Sequence, residues 1–155
     1  MDDKKKILVL GIGNLLLRDE GIGVHVVQRM KGMDLPSDVE IMDGGTMGID
    51  LLYCIEGRKK VVVIDAVSAD SPPGALYRFT DRDLEDYKGF IRSAHEIDFT
   101  YVLNTARLFG KKPDKVIFIG ITPGDISEGL TLSPAVEKKI PEIIELVMKE
   151  INESL

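Results

Sequence analysis

The sequence predicts a three-layer α/β/α fold around a twisted, mainly parallel five-stranded sheet with one antiparallel strand. An apolar run at residues 7–10 leads through glycines into a segment of helical periodicity, which is the pattern of a buried strand and its crossover helix. Residues 60–67 form the clearest strand, because their β-branched run is typical of a central parallel strand buried on both faces. Together these segments favour a parallel sheet.

The first half of the chain alternates strands with helices. The first helix is predicted to begin with Asp19 as its N-cap and to end near Gly32. Residues 39–43 form the second strand, and the second helix starts near Thr46 and stops before Gly57. The β-branched third strand follows.

The antiparallel strand is predicted at residues 75–80. A turn cluster at 71–74 separates it from the preceding strand, and a parallel return needs a longer crossover, so we expect these two strands to be antiparallel neighbours. Residues 81–92 are polar and poorly patterned, as in a short helix or a loop. Residues 93–96 match a capping box, and the helix that follows keeps its period up to Gly110.

The last core strand is predicted at residues 116–121. Ser133-Pro134 begins the closing helix, which Pro141 should kink or interrupt. No internal repeat or flexible linker divides the sequence, so we expect a single domain over residues 1–155.

Composition limits the classes of function. The 155 residues carry 20 basic and 26 acidic side chains, a formal net charge of -6, which disfavours nucleic acids and anionic membranes as partners. No apolar run is long enough to span a bilayer, and no apolar signal-peptide region is visible at the N-terminus. We expect a cytoplasmic protein and a monomer. The single cysteine, Cys54, lies among apolar residues and is interpreted as a small buried hydrophobe.

The glycine loop after the first strand raises the question of a nucleotide. A dinucleotide fingerprint that begins with Gly11 and Gly13 needs a third glycine at a position that is Leu16 here. The pattern is therefore weak evidence for a nucleotide, and we expect no nucleotide cofactor. The loop instead leads to Asp19-Glu20, and with Asp19 as the cap, Glu20 is left for chemistry or for the helix dipole.

Acidic residues fall at the carboxyl ends of three predicted parallel strands. Glu20 follows the first strand, Asp43 ends the second, and Asp65 lies in the third. Parallel α/β sheets bind their ligands at this edge. His95 lies at a predicted helix N-terminus, which disfavours imidazolium and so favours the neutral, metal-binding form. Two carboxylates and an imidazole can hold a divalent transition metal and leave positions open for water or substrate.

Taken singly, most of these residues have ordinary structural explanations as helix-dipole partner, turn former or capping group. Asp65 is the exception, because a carboxylate in so apolar a strand must be paired, ligated or close to solvent. His25 lies within the first helix and is interpreted as structural or exposed. The sequence shows no Ser/His/Asp or Cys/His arrangement and no His-Glu-x-x-His motif.

An ordered set of short motifs runs along nearly the whole chain. The motifs are Gly11-x-Gly13-Asn14, Asp19-Glu20-Gly21-x-Gly23, Asp43-Gly44-Gly45-Thr46, Ile64-Asp65-Ala66, His95 before an apolar helix, and Ser133-Pro134-Ala135-Val136-Glu137. This set resembles the hydrogenase maturation endopeptidases, and the order of the motifs is more specific than any one of them. The resemblance implies an aspartyl-type or metal-dependent endopeptidase.

The resemblance further implies the substrate and the site. Members of that family cleave a C-terminal extension from the large-subunit precursor of NiFe hydrogenase once nickel has been inserted. The implied metal-binding positions are Glu20, Asp65 and His95, and Asp43 matches a further functional carboxylate. We hypothesise that the metal ligands recognise nickel already held by cysteines of the precursor, so that the substrate supplies the nickel. Whether nickel polarises the scissile carbonyl, or whether Asp43 or Glu20 activates water as a general base, is left open.

Other classes of function remain as alternatives. A nucleotide-binding α/β enzyme would use the same glycine loop, although Leu16 argues against it. A non-catalytic chaperone that senses nickel in the precursor would use the same ligands but would not shorten its partner. A divalent-metal hydrolase of a small substrate would bind metal tightly by itself.

Overall fold

A computed structural model describes residues 4–86, 92–93 and 99–153. Within these ranges the strands are β1 (Ile7–Ile12), β2 (Val39–Gly45), β3 (Lys60–Ser68), β4 (Leu76–Thr80), β5 (Arg92–Ser93) and β6 (Lys115–Ile121). The α-helices are α1 (Ile22–Met30), α2 (Leu51–Ile55), α3 (Asp81–Asp86), α4 (Phe99–Leu108), α5 (Pro134–Glu137) and α6 (Ile140–Asn152). Short 3-10 turns at Arg18–Gly21 and Gly48–Asp50 precede α1 and α2. No helix in the described part of the chain has the length and apolarity needed to cross a membrane.

The sheet has the strand order β2-β1-β3-β6-β4, with β5 paired to β3 outside this path. Strands β2, β1, β3 and β6 are parallel, and β4 is antiparallel to β6. The mainly parallel sheet with one antiparallel strand is thus confirmed, and β5 adds a short further antiparallel pairing.

The prediction that β4 would pair with β3 is wrong, because β6 lies between them. The connection from β3 to β4 crosses the carboxyl end of β6. There the N–H of Gly74 donates to the carbonyl of Thr122 at 2.8 Å, and the N–H of Thr122 donates to the carbonyl of Ala75 at 3.0 Å. These hydrogen bonds extend the pairing of β4 with β6 past the strand ends.

The apolar side chains of the sheet divide between two cores, one on each face. In β3, Val62 and Ile64 face the core shared with α1 and α6, whereas Val61 and Val63 face the core shared with α2 and α4. This alternation follows from the pleat of the strand, which points successive side chains to opposite faces. Both faces of the sheet are therefore covered, and the predicted three-layer fold is confirmed.

The second predicted helix differs from its predicted bounds, whereas the closing helix is interrupted as expected. The second predicted helix is reduced to the short α2, which follows a 3-10 turn that begins at Gly48 with φ +65°. The closing helix is interrupted as predicted: α5 ends at Glu137, and α6 restarts with Pro141 in its first turn, where a missing N–H costs no helical hydrogen bond. Ser93 of the predicted capping box lies in β5, and residues 94–96 lie outside the described ranges.

A buried ion pair fastens α6 to the sheet. Lys60 is fully buried at the start of β3, and its Nζ lies 3.4 Å from Oε2 of Glu150 in α6. The guanidinium of Arg78 in β4 bonds to the other carboxylate oxygen. Burial raises the pKa of Glu150, but Arg78 and Lys60 outweigh it and hold that pKa below its ordinary value. The carboxylate is therefore ionised and paired.

Candidate active site

The carboxyl ends of the parallel strands meet at one edge of the sheet, and the predicted acidic residues lie there. Asp43 is near the end of β2 and Asp65 is near the end of β3. The 3-10 turn Arg18–Gly21, which carries Glu20, packs against β3. The fold thus brings the Glu20 turn to the strand that carries Asp65.

Close backbone approach sets the position of this turn. A Cβ atom at Gly13 would lie 2.2 Å from the carbonyl oxygen of Glu20, and one at Gly23 would lie 2.1 Å from the carbonyl oxygen of Ile64. Both distances are far shorter than a van der Waals contact, so only glycine fits at either position. The glycines of the loop therefore allow the acidic turn to pack closely against the ends of β1 and β3.

Glu20 is largely buried, with 8% of its residue surface exposed. Its main-chain groups are bonded within the turn, since its N–H donates to Leu17 O at 3.1 Å and its carbonyl accepts from Asn14 N at 3.3 Å. Among the residues that the structure describes, none donates a hydrogen bond to its carboxylate oxygens. A carboxylate without protein donors is available as an acceptor for a cation or an external donor.

The prediction that Asp19 caps α1 is wrong. The N-cap residue of α1 is Gly21, and the described residues make no side-chain capping hydrogen bond there. The fully buried Asp19 carboxylate instead accepts hydrogen bonds from Gly124 N at 2.8 Å, Asp125 N at 2.9 Å, and both N–H and hydroxyl of Ser133. These bonds tie the acidic turn to the loop between β6 and α5.

Asp65 is fully buried, in register with Gly120 of β6. By strand alternation with Val63 and Val67 it belongs to the face of the sheet that α2 and α4 cover. His95, predicted to lie just before α4, is outside the described residues. In the described ranges no group of three acidic, histidine or cysteine side chains is arranged to hold a metal ion.

Asp43 is exposed, unlike Glu20 and Asp65. Its Oδ1 accepts a hydrogen bond from the N–H of Gly45 at 2.8 Å, which holds the tight turn after the strand. A cleft of about 190 Å³ opens beside it, lined by Gly13, Asn14, Leu15, Val24, Asp43, Gly45 and Thr46. Alternation with Ile41, which packs in the core beside α1, directs Asp43 to the sheet face opposite that of Asp65.

His25 and Cys54 both lie in surroundings that indicate a structural role. His25 is half-buried in α1, and burial lowers its pKa, so the ring is neutral at pH 7. Cys54 is half-buried beside the core of α2 and α4, and burial raises the pKa of its thiol. A nucleophilic cysteine needs the opposite shift.

Sequence reasoning missed the loop between β6 and α5 as part of this edge. Its residues Gly124, Asp125 and Ser133 were visible as a strand end and a helix start, but no local signal marks them as partners of Asp19. Arg18 was also missed: it takes a left-handed conformation, φ +49°, and its N–H donates to Gly129 O at 3.2 Å. A non-glycine residue in that region is unusual and is held here by long-range bonds.

Comparisons with solved structures identify the class of protein. A hydrogenase maturating endopeptidase, HybD of Escherichia coli, superposes with a TM-score of 0.86 and 35% sequence identity, covering 94% of this chain and 91% of that chain. A NiFe hydrogenase maturation protease, HybD of Thermococcus kodakarensis, superposes with a TM-score of 0.77 and 26% identity, covering 95% and 99%. The fold is that of a maturation endopeptidase.

Comparisons of sequence give the same result. The family described as hydrogenase maturation protease matches residues 24–150. Hydrogenase 2 maturation protease of Escherichia coli (strain K12) is 36% identical over 151 residues, which cover 96% of this chain and 92% of that protein. The hydrogenase expression/formation protein HupD of Rhodobacter capsulatus is 38% identical over 151 residues, covering 96% and 72%. The chain belongs to the hydrogenase maturation protease family, and the resemblance drawn from its motifs is confirmed.

Proposed function

We propose that this protease removes the C-terminal extension of the large-subunit precursor of a NiFe hydrogenase after nickel insertion. It acts as a single-domain, cytoplasmic monomer, and it contacts the nickel of the precursor through Glu20, Asp65 and His95. The observation that carries the proposal is the carboxylate of the largely buried Glu20, which receives no hydrogen bond from the described residues and lies in a turn packed on β3.

The donor set suits a metal that arrives already bound. Nickel held by cysteine thiolates of the precursor keeps positions for further ligands, and carboxylate and imidazole groups are suitable ones. In this proposal the precursor brings the metal together with its own ligands, and the protease side chains complete the coordination when the precursor is docked. Cleavage would then depend on metallation of the substrate, and the free protease needs no metal of its own.

The placement of β5 supports a role for His95. Ser93 pairs with Val67, which is two residues beyond Asp65 in β3. His95 follows Ser93 by only two residues in the sequence. This sequence proximity to a residue of β5 supports His95 as a partner of Asp65 in the proposed site.

Asp43 is our candidate for the group that activates water. It is exposed beside the cleft, and the hydrogen bond from Gly45 fixes Oδ1 while Oδ2 receives none from the described residues. A carboxylate held in this way can accept a proton from an attacking water. Glu20 is the other carboxylate that can take this role if the nickel leaves one of its oxygens free.

The test is to mix the purified protein with a C-terminally extended large subunit, with and without nickel, and to follow the mass of the subunit. A small loss of mass from the nickel-loaded precursor alone is the expected result. Binding without loss of mass would identify a nickel-sensing chaperone instead. Cleavage of both forms would show that nickel is not the recognition signal. An absence of binding would show that the large subunit used is not the substrate.

A further inference from the structure

The strand β2 forms one open edge of the sheet, and its outward main-chain groups can be assigned residue by residue. The N–H of Ile7 donates to Asp38 O at 3.1 Å, and Ile7 is in register with Val39. In a parallel ladder this pattern directs the main-chain groups of Glu40 and Met42 to β1. The N–H and C=O groups of Val39, Ile41 and Asp43 therefore point away from the sheet.

Within the described part of the chain, these outward groups have hydrogen-bond partners at one end of β2 and lack them at the other. The N–H of Val39 donates to Pro36 O at 3.1 Å, and its carbonyl accepts from Lys5 Nζ at 3.4 Å. No hydrogen bond from the described residues reaches the outward main-chain groups of Ile41 and Asp43. Ile41 is half-buried and Asp43 exposed, and among the described residues nothing pairs with this stretch of main chain. An unpaired strand edge of this kind is a template for an added strand.

The open stretch leads directly to the candidate active site. Asp43 and Gly45 at the carboxyl end of β2 also line the cleft of about 190 Å³. A chain paired with Ile41 and Asp43 continues into that cleft within one residue, since a strand advances about 3.3 Å per residue. The exposed carboxylate of Asp43 at this end disfavours acidic side chains in the same place.

The other edge of the sheet, β4, lacks this relation to the site. The hydrogen bond from Thr122 N to Ala75 O makes the odd-numbered residues of β4 pair with β6, so the main chain of Arg78 points outward. The next outward N–H, that of Thr80, donates to Asp83 Oδ2 at 2.9 Å. That end of β4 lies at the amino edge of the parallel strands, away from Asp43.

We propose that the C-terminal segment of the hydrogenase precursor docks as an added strand along β2, through main-chain hydrogen bonds to Ile41 and Asp43. This inference rests on the proposed function and specifies how the substrate chain is held. Strand addition binds an extended peptide largely through its main chain, and an extended chain presents its peptide bonds to the cleft. Nickel contacts then provide recognition of metallation, and β2 aligns the bond to be cut.

The direct test is residue-resolved amide hydrogen exchange of the full-length protein, with and without a synthetic peptide that spans the cleavage junction of the precursor. Inhibition of precursor processing by the same peptide establishes that it occupies the site. We expect exchange at the amides of Ile41 and Asp43 to slow about tenfold, which corresponds to one net hydrogen bond each. The amides of Glu40 and Met42, which already bond to β1, and of Arg78 on β4 are internal controls and should not change.

Two outcomes overturn the proposal. One is a peptide that inhibits processing and leaves the exchange of Ile41 and Asp43 unchanged. The other is a junction peptide that neither inhibits nor slows exchange, because main-chain pairing requires that such a peptide bind. Failure of the proposed function is distinguishable from both, since the nickel-loaded precursor itself would then lose no mass.

A variant provides a second measurement. Ile41→Pro removes the outward N–H without removing a bond to β1, and it should raise KM for the precursor about tenfold with kcat nearly unchanged. Ile41→Val keeps the N–H and is the matched control. A wild-type KM in a folded Ile41→Pro protein contradicts strand addition, and if proline at this position prevents folding, the exchange experiment still decides.

Discussion

Asp19 and Ser133 are joined by two hydrogen bonds although 114 residues separate them along the chain. The N–H of Ser133 donates to Oδ1 of Asp19 at 2.8 Å, and its hydroxyl donates to Oδ2 at 2.6 Å. The same carboxylate accepts from the main chain of Gly124 and Asp125. One buried side chain thus holds the loop between β6 and α5 against the turn that carries Glu20.

Asp19→Asn should destabilise the protein by about 2 kcal/mol. Asparagine offers one acceptor oxygen where the carboxylate offers two, and its amide NH₂ would face the N–H donors that now bond to Asp19. Urea unfolding measures the change. Asp34→Asn, the same substitution at an exposed position after α1, is the control and should stay within about 0.5 kcal/mol of wild type. Equal stability of the Asp19 and Asp34 variants would show that the four bonds contribute nothing net.

The stabilisation by Asp19 should depend on pH. Burial raises its pKa, but hydrogen bonds from Ser133, Asp125 and Gly124 outweigh burial and hold the pKa below the ordinary value. The ionised form is therefore favoured by folding. Its contribution is complete above the unfolded-state pKa of about 3.9 and is lost as the pH falls through the lower folded-state value.

The measurement is the difference in unfolding free energy between wild type and Asp19→Asn, followed from neutral pH to about pH 2. The difference should be constant near neutrality and shrink below about pH 4. Other carboxylates with lowered pKa values, Asp83, Asp125 and Glu150, are common to both proteins and cancel in the subtraction. A difference that grows on acidification would contradict the assignment of a lowered pKa to Asp19.

Gly23→Ala, which adds one methyl group, should strongly destabilise the protein. The new Cβ would lie 2.1 Å from Ile64 O and 2.4 Å from Ile12 O, and both atoms belong to the backbone of central strands. To relieve these contacts α1 must move off the sheet, at a cost of about 3 kcal/mol. The midpoint temperature of thermal unfolding and the processing rate should both fall, since the turn with Glu20 moves with the helix.

Gly32→Ala is the matched control for that substitution. Gly32 lies just beyond α1, and a Cβ there would meet no atom within 4 Å. The change in stability should be smaller than about 0.5 kcal/mol. Similar losses in the two variants would mean that general flexibility, rather than contact with Ile64 and Ile12, makes Gly23 necessary.

The fold was predictable from sequence where local pattern decides the outcome. The β-branched run of β3 and the apolar run of β1 have few alternatives to a buried strand, and Pro141 interrupts the closing helix for a reason contained in one residue. The neighbour of β4 was not predictable in this way. Its pairing with β6 depends on how the turn near Gly74 crosses the end of that strand, which is a property of the assembled sheet.

The candidate site was likewise predictable from sequence only in part. The positions of Asp43 and Asp65 at the carboxyl edge follow from strand order and direction, which the sequence indicates. The role of Asp19 does not, because a local capping rule competes with bonds to residues more than 100 positions away, and the distant donors prevail. The left-handed Arg18 likewise has no signature in the sequence.

Glu20→Gln should separate activity from stability. Because the described residues donate no hydrogen bond to the Glu20 carboxylate, the substitution deprives no neighbouring donor of its acceptor and removes a charge from a largely buried residue. The unfolding free energy should be equal to that of wild type or higher. Processing of the nickel-loaded precursor should fall about 100-fold or more, since a neutral amide is a much weaker nickel ligand than a carboxylate.

Mass measurements on the nickel-loaded precursor give the rate, and urea unfolding gives the stability. Glu145→Gln, the same change on the exposed face of α6, should alter neither quantity. Asp65→Asn and His95→Ala extend the series, and wild-type rates in all three site variants would refute the proposed nickel contacts. A Glu20→Gln protein that is both inactive and less stable would show that Glu20 makes a structural interaction. A residue kept only for function is expected to be neutral or unfavourable for stability.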